Sequence, residues 1–146
     1  MPSISIAQTT YRSDCEVVET TRLENFGHEG RPAQLSHFTC RIQGGPLNGS
    51  SVTGTNIWDV SDDGGRTLLG SIAIAQRQGL NVMYEVREVT RNLTTGKNGV
   101  VGWQATSWGL YKAATGAAAA LAGKTFTSVA HLTGPRTFTV ENTIDD

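Results

Sequence analysis

Long apolar runs are missing from this chain of 146 residues. The longest, Ala117 to Ala122, falls far short of the roughly 20 apolar residues that a membrane-spanning helix needs, so no membrane partner is expected. An excess of charge is missing too: 12 basic residues stand against 13 acidic ones, a formal net charge of −1. Nucleic-acid binders carry a basic face or stripe, and none is visible, so no nucleic-acid partner is expected. The opening MPSISIAQTT lacks the charged start and apolar stretch of a secretion signal, which points to a cytoplasmic protein. Cysteine is scarce. Cys15 and Cys40 read as two small buried apolar side chains, with pairing the alternative for an exported chain. Two sequons, at Asn48 and Asn92, read as turns on the same grounds.

Several catalytic and cofactor signatures are also lacking. His28, His37 and His131 lie at no short spacing from one another or from a cysteine, so no metal centre is expected. No Gly-x-Ser-x-Gly elbow supports serine hydrolase chemistry. The stretch from Ala118 to Gly123-Lys124-Thr125 fits a loosened phosphate-loop pattern. That loop needs a helix after it, whereas Thr125 to Leu132 alternates like a strand, so a Gly-Lys turn is the better reading. No cofactor is expected.

What is present is a repeated period of two. Leu80, Val82, Tyr84 and Val86 alternate with Asn81, Glu85 and Arg87, and only Met83 interrupts the pattern. Similar stretches cover Glu16–Thr21, Ala33–Gln43, Ser51–Val60, Arg66–Gln76, Gly99–Lys112, Thr125–Leu132 and Arg136–Asn142. Asn98-Gly99, Asp63-Gly64-Gly65, Gly44-Gly45-Pro46 and Gly134-Pro135 supply turns between them. Short connections favour antiparallel neighbours. Ala113–Ala122 alone could turn helically, and a loop or one turn is expected there. The reading is one all-β domain over residues 1–146, with 1–14 as a flexible arm and about eight strands closed into an antiparallel barrel. Trp103 and Trp108 point to opposite faces of an unbulged strand, which suits a barrel with a lined lumen and an outer interface. A two-sheet β-sandwich is the alternative.

Within that frame Tyr84 is the leading candidate for a lumen hydrogen-bond anchor or proton donor. Glu88 shares its face in a regular strand. His37 and Arg41 share one face of their strand, opposite Phe38, Cys40 and Ile42, and could meet a carboxylate or enolate or simply face water. His131 completes the polar candidates. Trp58, Trp103, Trp108, Phe126 and Phe138 could line an apolar pocket or fill a core.

The C-terminal third carries a family resemblance. Gly102-Trp103 opens a strand, and Trp108-Gly109-Leu110-Tyr111-Lys112-Ala113-Ala114-Thr115-Gly116 closes it. Leu121-Ala122-Gly123 then leads to Ala130-His131-Leu132-Thr133-Gly134. Over roughly residues 79–134 this resembles the allene-oxide-cyclase-like barrels of calycin type, especially the small bacterial spirotetronate cyclases that catalyse Diels–Alder ring closure. The resemblance implies an eight-stranded barrel that folds a lipophilic conjugated substrate in its lumen without a cofactor, and a homo-oligomer, dimer or trimer. Tyr84 falls where those cyclases carry a lumen tyrosine, and Trp103 and Trp108 fall in their aromatic strand. The stretch Phe126–His131 departs from them by being smaller and more polar. Two functions follow as expectations: a cofactor-independent isomerase, cyclase or lyase acting on a small hydrophobic or aromatic molecule, and a non-catalytic lipocalin-like binder of such a molecule.

Overall fold

The computed structural model describes residues 9–60, 66–96 and 99–145, with side chains in 91–103 outside that description. Eight strands follow one another: β1 (Thr10–Leu23), β2 (Ala33–Gln43), β3 (Ser51–Val60), β4 (Arg66–Arg77), β5 (Leu80–Gly96), β6 (Gly99–Gly116), β7 (Thr125–Leu132) and β8 (Thr137–Ile144). Each pairs antiparallel with its neighbours in sequence, and β1 pairs with β8 to close the ring. The sandwich alternative is thereby excluded. Residues 10–14, expected in an N-terminal arm, are built into β1: all five pair with β8, and Arg12 to Asp14 pair with β2 as well. The segment expected to loop or turn splits instead: Ala113–Gly116 extends β6, and Ala119–Leu121 makes a single 3-10 turn.

Alternation assigns the two faces. Val52, Gly54, Asn56 and Trp58 of β3 point inward with Phe38 and Cys40 of β2, while Thr53 and Thr55 point outward. Among the described residues, five register shifts interrupt the ladders, and three of them reset the parity of β1, β4 and β5. These three lie between Val17 and Glu19, at Leu69 opposite the Ile57/Trp58 step, and between Val86 and Glu88. Each turns a residue outward that a regular strand would place otherwise, and Val18 and Leu69 are accordingly exposed.

The two ends of the barrel differ. At one end Leu47, from the β2–β3 connection, and Ala118 and Leu121, from the β6–β7 connection, plug the ring over Ile42, Val52, Leu80 and Ile144. All of these are almost wholly buried, so this end is a conventional hydrophobic core. The other end carries the β1–β2 and β7–β8 connections. Among the described residues it is open between Thr20, Gln34, Arg66, Leu132, Pro135 and Arg136.

Cys15 and Cys40 are directly opposite one another on β1 and β2 and form a disulfide, with S–S 2.07 Å. The expectation of two unpaired buried thiols is corrected: neighbouring positions on the inward face bring the two side chains into bonding reach.

Candidate functional site

The lumen is a cavity of about 470 Å³, within the range of small-molecule sites. Its apolar lining runs from Trp58 and Leu68 near the mouth, past Val86, Phe38 and Phe138, to Tyr84 and Phe126 deeper in. Phe38 and Phe138 meet edge to face, with centroids 6.1 Å apart. Two strand glycines make room for the phenylalanines. A Cβ on Gly54 would overlap the ring of Phe38, its cross-strand partner, and one on Gly109 would overlap Phe126.

Below the cavity lies a cluster of four aromatic rings. Tyr84 packs edge to face on Phe126 at 5.7 Å and on Tyr111 at 6.1 Å. Tyr111 and Phe126 are 4.9 Å apart. The hydroxyls of Tyr11 and Tyr111 share a hydrogen bond of 2.8 Å. Burial pushes the Tyr84 phenol well above its ordinary range, and the nearby Tyr11 adds to the rise. Tyr84 is therefore a neutral hydrogen-bond donor at physiological pH. Sequence reasoning missed Tyr11 and Tyr111, because Tyr11 fell in the presumed arm and Tyr111 carried only the strand pattern.

Polar lining residues form two ladders on opposite walls. On β2, β3 and β4, Ser36 pairs directly with Asn56, and Asn56 with Ser71. On β6, β7 and β8, Ser107 pairs with Ser128, and Ser128 with Asn142. All six line the cavity. Since β3 and β7 are four strands apart in a ring of eight, Asn56 and Ser128 stand on facing walls. The second ladder is bonded at two of its three rungs: Ser128 Oγ donates to Asn142 Oδ1 at 2.7 Å, and Asn142 Nδ2 donates to Ser13 Oγ at 3.3 Å. The first is not. Among the described residues, no side-chain hydrogen bond engages Ser36, Asn56 or Ser71.

The residues proposed from sequence divide accordingly. Tyr84, Trp58, Phe126 and Phe138 line the lumen. Glu88 does not, because the bulge after Val86 breaks the parity that linked it to Tyr84. It lies on the outer wall, where it accepts a hydrogen bond from Trp108 Nε1 at 3.0 Å. Trp108 is thus also outside and exposed. His37 and Arg41 do share a face, but it is the outer one, and His37 Nδ1 contacts Thr55 Oγ1 at 2.8 Å. His131 is exposed on the outer side of β7, between inward-facing Ala130 and Leu132. Trp103 lies outside the described side chains. Among the described residues, no Asp, Glu, His or Lys lines the lumen; Arg66 and Arg136 occur only at its mouth. No three His, Cys, Asp or Glu side chains among the described residues are grouped to hold a metal ion.

No family model, curated protein or solved structure matches the chain.

Proposed function

We propose that the barrel binds a small hydrophobic molecule in its lumen. One observation carries this reading: among the described residues, the aromatic-lined cavity of about 470 Å³ is open at one end of the ring and plugged at the other. A core built only for stability would fill that space with side chains, as the plugged end does. The lipocalin-like reading needs no titratable group near the ligand, and the described lining fits it. The neutral dye N-phenyl-1-naphthylamine provides the test. Saturable fluorescence enhancement is expected, weakened roughly 10-fold by Trp58→Ala and unchanged by Trp108→Ala. Enhancement that does not saturate, or that Trp108→Ala abolishes while Trp58→Ala does not, would rule the lumen out.

A second reading is favoured by Tyr84, a buried neutral phenol facing the cavity. It is a cofactor-independent isomerase, cyclase or lyase, in which the lumen folds one substrate into a reactive conformation and Tyr84 donates a hydrogen bond to it. Ring closure within one molecule requires no general base, which suits the described lining. The resemblance of residues 79–134 to allene-oxide-cyclase-like barrels and spirotetronate cyclases supports this reading through Tyr84, and loses its support at the outward Trp108. Full turnover of an identified substrate by Tyr84→Phe would remove Tyr84 from the mechanism.

The homo-oligomer belongs to the same proposal. Its support is the exposed outward side chains of Ile72 and Met83 on adjacent strands, with Trp108 exposed further along the same outer wall. No helix among the described residues is long and apolar enough to cross a membrane. The Cys15–Cys40 bond speaks for an oxidising compartment and against the cytoplasmic placement expected from composition.

A further inference from the structure

Resting on the ligand-binding reading, we infer that the Ser36–Asn56–Ser71 ladder is a specificity element selecting a neutral lipophilic molecule that carries carbonyl or hydroxyl oxygens along its skeleton. The three residues occupy directly paired inward positions on adjacent strands, so their polar groups form one row across the wall. An apolar cargo would be served better by Val or Leu at these sites. A row of polar side chains facing a hydrocarbon loses its hydrogen bonds to water and regains none.

The contrast with the facing wall gives the row its meaning. Ser128, Asn142 and Ser13 satisfy one another, so two of that ladder's three rungs are self-contained and only Ser107 is left without a side-chain bond to described residues. Ser36, Asn56 and Ser71 make no side-chain hydrogen bonds with described residues, and all three line the cavity. The Asn56 amide offers two donors and an acceptor, and each serine hydroxyl can donate or accept. Such a row complements ligand oxygens without needing a charge on the ligand. The cations at the mouth, Arg66 and Arg136, stand apart from it, in line with neutral oxygens along the body of the ligand and not a single anionic head.

The experiment compares fluorene with 9-fluorenone, a matched pair that differs by one carbonyl. Binding of each to the full chain is followed by equilibrium dialysis, for the natural protein and for Asn56→Leu, Ser36→Ala and Ser71→Ala. Circular dichroism confirms that each variant is folded. Asn56→Leu is expected to weaken 9-fluorenone by about 3- to 10-fold, the range of one net hydrogen bond, while leaving fluorene unchanged or tighter. The serine variants, which disturb packing least, are expected to move the ratio in the same direction. Equal effects on both compounds, or stronger 9-fluorenone binding by the variants, would overturn the specificity role while leaving the lumen as a binding site. Binding of neither compound to the natural protein would overturn the lumen reading itself, and the specificity role with it.

Discussion

The hydroxyls of Tyr11 and Tyr111 meet at 2.8 Å although 100 residues separate them in the chain. The contact ties the first strand to the sixth beneath the lumen, in a part of the core where water cannot replace a lost partner. Tyr11→Phe should therefore destabilise the fold by about 1–3 kcal/mol, because the remaining Tyr111 hydroxyl stays buried without its bond. Removing both hydroxyls should cost less than the sum of the two single changes. Urea unfolding of the three variants decides this, and strict additivity would show that the two hydroxyls are not coupled.

The three tyrosines of the chain are Tyr11, Tyr84 and Tyr111, and burial raises the phenol of each well above its ordinary value of 10.0. For Tyr111 the bond to Tyr11 pulls the other way, but less than burial pushes. An unfolded chain loses these protons near pH 10, whereas the folded chain keeps them. Stability is then fully present below pH 10 and falls as the pH rises above it, by up to roughly 1.4 kcal/mol per pH unit for each tyrosine. Tyrosinate absorbance should stay absent from the native protein above pH 10 and then rise together with loss of the β-sheet circular dichroism signal. A smooth rise near pH 10 from a protein that is still folded would contradict the buried cluster.

Cys15 and Cys40 are 25 residues apart, and their bond holds β1 to β2 beside the cavity. Loop-closure entropy assigns such a cross-link roughly 3 kcal/mol. The double substitution Cys15→Ala with Cys40→Ala should lower stability by about 2–4 kcal/mol, seen as a lower urea midpoint with a steeper slope, because the uncrosslinked denatured chain exposes more surface. Titration of the denatured, unreduced protein should find no free thiol.

Ile72, Met83 and Trp108 are each between 37% and 40% exposed, and Met83 pairs with Ile74, two residues along the same face from Ile72. A dimer or trimer is expected in native mass spectrometry, at a multiple of 15.6 kDa. Ile72→Lys combined with Met83→Lys should yield a folded 15.6 kDa species. A natural protein already running at that mass would show that this strip is not a self-association face.

Period-two patterning was enough to place β2, β3 and β7 with their observed limits, because a residue that alternates between lumen and exterior leaves its mark locally. It also paired His37 with Arg41 on one face and Tyr84 with Val86 on the other face of their own strand. Alternation does not say which face is inside. In β5 the parity from Tyr84 to Glu88 fails at the bulge after Val86, whose position depends on how β5 meets β6. Met83, which seemed to interrupt the alternation, is an outward residue on the exposed strip and interrupts nothing.

Strand number and the antiparallel order were thus determined by sequence alone, through side-chain periodicity and turn chemistry that act over a few residues. Closure was read from sequence with a sandwich as the alternative, and the pairing of β1 with β8 chose between them; the Cys15–Cys40 bond, the Tyr11–Tyr111 contact and the inward row of Ser36, Asn56 and Ser71 were decided only by tertiary structure. Each depends on register between separate strands. Register is set by the whole ring closing at once, with bulges absorbing the mismatch, and no local stretch of sequence carries that condition.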